Sequence, residues 1–121
     1  MANPNIVSVT SIYGKTAALA LTTSETSIVT NSSSSNKIFK INSLTVTNYQ
    51  GTNAYDVNCR FYDSGTATSF FLASTISVPA DASLVLISKD TSIYLEEGDS
   101  LTLWASSNAT LQAVISYEEI A

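Results

Sequence analysis

Val57-Asn58-Cys59-Arg60-Phe61-Tyr62 changes side at every residue. Val57, Cys59 and Phe61 fall on one face and Asn58, Arg60 and Tyr62 on the other, which is the period of two of an extended strand with one face buried. Three further runs repeat the pattern: Leu44 to Tyr49, Leu101 to Ser106 and Leu111 to Tyr117. Short clusters of turn formers separate them, among them Gln50-Gly51-Thr52-Asn53, Asp63-Ser64-Gly65, Pro79-Ala80-Asp81 and Glu96-Glu97-Gly98-Asp99. Glycine supplies positive φ, and Asn, Asp and Ser bond back to the local backbone, so each cluster reverses the chain. The signals recur about every 8–12 residues, the spacing of a sandwich or barrel. These features predict an all-β fold, a single antiparallel β-sandwich of jelly-roll or Ig-like type over residues 1–121. The strand order is left open.

No stretch carries a convincing helix. Thr16-Ala17-Ala18-Leu19-Ala20-Leu21 has helix-friendly residues but is short and runs into Ser, Thr and β-branched residues, so it reads as strand or irregular. Asn31-Ser32-Ser33-Ser34-Ser35-Asn36 reads as a mobile loop or hairpin tip. Pro4 favours an extended start, and residues 1–5 are expected to form an N-terminal arm.

The 121 residues are enough to bury a core without a metal or disulfide. Only 12% are charged, against roughly 25% in typical soluble domains, and Ser and Thr fill the polar positions. Neutral hydroxyls cost little to cover with another protein, so the composition points to a surface committed to neighbours. Net charge is −5, and the five basic residues Lys15, Lys37, Lys40, Arg60 and Lys89 form no run that would neutralise a phosphate backbone. That argues against nucleic-acid binding. The start of the chain lacks the basic and apolar regions of a signal peptide, and no segment approaches the roughly 20 apolar residues of a membrane span.

Catalysis is hard to build from this inventory. There is no histidine, so the usual base of a nucleophilic triad is missing. No glycine-rich loop resembles a phosphate cradle, and no Cys/His cluster would hold zinc. The expectation is a non-enzyme with no cofactor and no metal. Cys59, the single cysteine, excludes an intrachain disulfide and reads as a small buried apolar residue. Glu96-Glu97-Gly98-Asp99 offers oxygen ligands of the kind calcium takes. It lacks the dense Asp/Asn spacing of a calcium loop and reads as a solvated turn. Glu118-Glu119 guards an edge strand or pairs with a partner.

Two features look outward. Leu84-Val85-Leu86-Ile87 is apolar on both faces, and Trp104 points away from Leu101 and Leu103. A strand with a second apolar face must bury it on something, a covering loop or a subunit. Trp and Tyr are favoured as interface anchors. The candidate interface residues are therefore Trp104, Val85, Ile87, Tyr49 and Tyr62. Trp104 beside Asn108, or Tyr49 beside Asn48 and Asn53, also has the makings of a sugar platform.

Ser77 to Leu101, together with Ile115-Ser116-Tyr117-Glu118-Glu119-Ile120 and the opening Asn5 to Thr16, resembles small β-sandwich virion structural proteins of tailed bacteriophages, in particular those of marine cyanobacteria. The shared motifs are strand–turn–strand corners and carry no catalytic residues. The resemblance implies a virion component made in the host cytoplasm and released by lysis. It implies a capsid decoration (cement) protein, packing on the major capsid protein and often trimeric. A tail, baseplate or fibre component, with or without host-glycan binding, is the alternative.

Overall fold

The computed structural model describes residues 4–121, so most of the expected 1–5 arm lies outside the described residues. Within them, Asn5 opens a turn, its side chain accepting the Val7 N–H at 3.0 Å and its carbonyl the Ser8 N–H at 3.0 Å.

The described chain forms strands β1 (Ile12–Ala20), β2 (Thr26–Thr30), β3 (Ile38–Asn48), β4 (Tyr55–Asp63), β5 (Thr68–Val78), β6 (Ser83–Ile87), β7 (Ile93–Leu95), β8 (Ser100–Ala105) and β9 (Leu111–Ile120). One sheet runs β1-β9-β3-β6, with short β7 also pairing β3, and the other runs β2-β8-β4-β5. All pairings are antiparallel. The first and last strands are neighbours, and each four-strand path takes its members from distant parts of the chain. That is the two-sheet jelly-roll arrangement rather than the Ig order, and it resolves the choice the sequence left open.

The decisive hexapeptide behaves as its alternation requires. Against β8, Val57, Cys59 and Phe61 pair with Ala105, Leu103 and Leu101, while Asn58, Arg60 and Tyr62 pair with Trp104, Thr102 and Ser100. The first set faces the core between the sheets, where Ile41, Leu44 and Val46 of β3 and Leu111, Ala113 and Ile115 of β9 meet it. Thr16 to Ala20 is strand, as one of its two readings had it.

Bulges adjust this simple period. Ile41 and Leu44 are both buried although three residues apart, because the β3–β9 register shifts between Ile41 and Ser43. Ala73 and Val78 of β5 are likewise both buried at an odd spacing. There Thr75 takes φ 52°, and its N–H is held by the Asn58 side chain at 2.8 Å. An extra residue in one strand of a pair lets the same face reach the core on both sides of it.

Several expectations are corrected by packing. β6 lies at a sheet edge, with Leu84 and Leu86 half-buried against the core and Ile87 inside it. The Asn31–Asn36 loop is tied down at its base: Asn31 is fully buried and donates to the carbonyls of Lys37 and Leu95, both at 2.9 Å. Glu119 does not guard an edge, since β9 sits between β1 and β3; it bridges Lys15 and Lys37, each at 3.2 Å. No helix among the described residues is long and apolar enough to cross a membrane.

Candidate assembly surface

The outer face of the β2-β8-β4-β5 sheet carries an ordered aromatic and cationic patch. Strand alternation turns Arg60 and Trp104 outward from neighbouring strands, and Phe71 of β5 pairs directly with Arg60. The guanidinium carbon of Arg60 lies 5.5 Å from the Trp104 ring centre and 5.6 Å from that of Phe71. The two rings are 6.0 Å apart and meet edge to face at 60°. A cation within about 6 Å of an aromatic face is attracted by the ring quadrupole, and here one cation serves two rings.

Arg60 is fixed from its other side. Its Nε donates to Glu25 Oε2 at 2.9 Å and its Nη2 to Glu25 Oε1, a forked pair that locks the planar head. Thr102 also donates its hydroxyl to Glu25. The Arg60 and Thr102 hydrogen bonds hold the Glu25 carboxyl below its ordinary range, against the opposing effect of burial, and Glu25 in turn pushes Arg60 up. The patch is thus neutral in sum, largely apolar at its surface, and arranged before anything binds.

The sequence-derived candidates are divided among different surfaces. Trp104 and Tyr62 share this face, both half-buried. Val85, 58% exposed, pairs with Thr45 on the outer face of the opposite sheet. Tyr49 is exposed just past the end of β3, its N–H bonded to the Thr110 carbonyl at 3.3 Å. Ile87 is removed from the interface set: it pairs with inward-facing Leu44 and is 3% exposed. The β6 bulge between Val85 and Ile87 places the two on different sides.

Sequence reasoning missed the most apolar exposed strand. Phe70 and Phe71 of β5 are 52% and 53% exposed, with Leu72 and Ile76 exposed beside them. The signal was present as an eleven-residue run, Thr68 to Val78, without a charge or proline.

The sugar-platform residues are placed differently: Tyr49, Asn53 and Asn108 are exposed, Trp104 is half-buried and Asn48 is buried. Asn48 is fully buried and donates to the carbonyls of Asn53 and Val78, while Asn108 accepts the Thr23 N–H. The acidic turn is solvated only at Glu96, since Glu97 and Asp99 are buried. Asp99 is buried and accepts from Ser64 and from the Glu96 N–H, and Glu97 accepts the Asn36 N–H at 2.6 Å. These carboxylates satisfy turn amides, and no group of three or more His, Cys, Asp or Glu among the described residues is arranged to hold a metal. A shallow groove of about 230 Å³ between β1 and β9 is lined by Ala18, Leu19, Ala20, Gln112, Ala113 and Val114.

No protein-family model and no curated protein matches the sequence. Among solved structures, a subunit of Bacillus endospore appendages, a family of disulfide-linked pili, aligns over 100% of this chain and 96% of that one, with 18% identity and a TM-score of 0.54. That likeness is one of fold. A pentameric capsid protein from metagenomic phage sequences aligns over 87% of this chain and 60% of its own length, with 15% identity and a TM-score of 0.41. A second structure of that description covers 62% of its own length at the same identity and TM-score.

Cys59, the chain's one cysteine, is fully buried, and burial pushes its thiol up to about 12.

Proposed function

We propose that this protein is a non-enzymatic virion structural subunit, a capsid decoration protein that stabilises the head by packing on the major capsid protein. The observation that carries the reading is the pre-ordered Trp104–Arg60–Phe71 patch beside the charge-free, exposed β5 strand. Aromatic and arginine anchors held in place before binding lose little entropy on docking, which is how a modest area becomes a stable contact. The low charge of the chain supports the same reading, because few ions have to be desolvated when this face is covered. The protein would be made in the host cytoplasm and reach the virion as a homo-oligomer.

Counting copies and locating them on purified particles tests this. Many copies per head are expected; a few copies confined to isolated tails would replace the decoration role with the tail, baseplate or fibre role. Trp104→Ala is expected to keep its β-sheet circular dichroism and lose about 2 kcal/mol or more of attachment to heads. Unimpaired attachment of a folded Trp104→Ala protein would remove the patch from the contact.

A further inference from the structure

We propose that β5 is a guarded edge: two extra residues, one of them pinned by Asn58, keep this apolar strand from pairing edge to edge with another strand and leave its outer face as the side that docks. The inference rests on the assembly reading above and says which side of β5 takes part in it. β5 pairs only with β4, so its other side is a sheet edge. Its eleven residues include no charge and no proline, and Phe70, Phe71, Leu72 and Ile76 are exposed on it. A long, apolar, uncharged edge is a template for unwanted strand addition unless something breaks its line.

The break is in the register. β4 runs from Tyr55 to Asp63 in nine residues, while β5 covers the same span, from Val78 back to Thr68, in eleven. One extra residue is Leu72, since Arg60 and Cys59 are consecutive but face Phe71 and Ala73. The other lies between Ala73 and Ile76, which are three positions apart and face Cys59 and Val57, only two apart. Thr68 to Phe71 and Ile76 to Val78 are the runs left in step with β4. An incoming strand meets no longer straight run than these, and each bulge bends the backbone and increases its twist.

The second bulge is held under strain. Thr75 has φ 52°. Among the described non-glycine residues with positive φ, it alone is β-branched and it alone lies within a strand. The others, Ser34, Asn36, Ala67, Asp81 and Ala109, lie in turns and loops. A β-branched residue stays in that region only where its surroundings enforce it. Asn58 does so: its side-chain oxygen accepts the Thr75 N–H at 2.8 Å and the Thr75 hydroxyl at 3.4 Å. That N–H is thereby withheld from any strand arriving at the edge. Asn58 also stands opposite Trp104 of β8, so the guard is anchored in the face that carries the aromatic patch.

Deleting Thr75 tests the guard, because Ala73, Ser74 and Ile76 then face Cys59, Asn58 and Val57 one for one. In sedimentation of the free full chain, the deletion is expected to raise self-association at least about tenfold over the parent. Thr75→Gly keeps the extra residue in a backbone conformation glycine accepts, and is expected to associate no more than the parent. Adding Leu72→Lys to the deletion sets a charge on the strand and is expected to abolish the added association. A folded deletion variant that associates no more than the parent would overturn the proposal. So would added association that Leu72→Lys leaves in place, since it would come from another surface. If the deletion fails to fold, Asn58→Ala decides: removing the pin should raise association, and a value equal to the parent's overturns the guard. These readouts use free protein and the virion reading uses purified particles. A guard upheld in a chain absent from heads would sink the virion reading alone, and an unguarded chain abundant on heads would sink the guard alone.

Discussion

Asp99 accepts both the backbone N–H and the hydroxyl of Ser64, at 2.9 and 3.1 Å, tying the turn that follows β4 to the turn that precedes β8. Its second oxygen accepts the Glu96 N–H at 3.0 Å, so both ends of the carboxylate face donors. An amide cannot satisfy both sides, because one of its ends is itself a donor. Asp99→Asn should therefore lose about 1–3 kcal/mol of stability in urea unfolding, the cost of leaving a buried donor unpaired. An unchanged midpoint would mean the turn is held by something else.

Gly98 lies under the same Ser64. Its φ is +89°, and a Cβ placed there would come within 2.7 Å of the Ser64 hydroxyl oxygen and 2.8 Å of its Cβ. Gly98→Ala meets both a strained backbone and a clash, and should cost about 1–3 kcal/mol from the backbone alone. Adding Ser64→Gly should relieve the clash but forfeit the Ser64 hydroxyl's hydrogen bond to Asp99, so the double variant stays below the parent. Complete recovery in thermal melts of the double variant would show that the backbone conformation carries no penalty.

The sandwich was legible because its alternating strands obey a period set by backbone geometry alone. Where bulges break that period, at Ile41–Ser43 and near Thr75, local pattern misleads, and Ile87 was misplaced for a related reason. An apolar run does not say which of its members turns outward once an extra residue enters the strand. The acidic turn failed differently. Glu97 and Asp99 look like solvated charges in sequence, and only the loop at Asn31–Asn36 and the turn at Ser64, distant in the chain, reveal them as buried acceptors. Trp104 could be picked out by type, but its partners Arg60, Phe71 and Glu25 come together only through strand order.

The buried thiol of Cys59 gives a sharp chemical test. Burial pushes it up to about 12, so almost none is thiolate at neutral pH, and the thiolate is the nucleophile. Native protein should resist thiol-specific reagents and run as a single non-covalent species on a non-reducing gel, in contrast to the disulfide-linked construction of the pili whose subunit shares its fold. Unfolding in guanidinium should expose one reactive thiol per chain. Rapid labelling of the native protein would show that β4 opens far more readily than a fully buried position allows.

Glu119 predicts how stability responds to acid. Burial by itself would push its carboxyl up, but hydrogen bonds from Lys15 and Lys37 outweigh that and hold it below its ordinary value of 4.5. A carboxylate whose folded pKa is depressed binds its proton more readily once unfolded. Its contribution is therefore fully present above about pH 4.5 and is lost as pH falls through the lower, folded value. Glu119→Gln removes the charge at every pH. The variant should be less stable than the parent at neutral pH, and the difference should shrink steadily on acidification below about pH 4.5 as the parent's own carboxylate is protonated. Urea unfolding of both proteins across that range measures it, and a gap that stays constant would show that Lys15 and Lys37 do not stabilise the charged form.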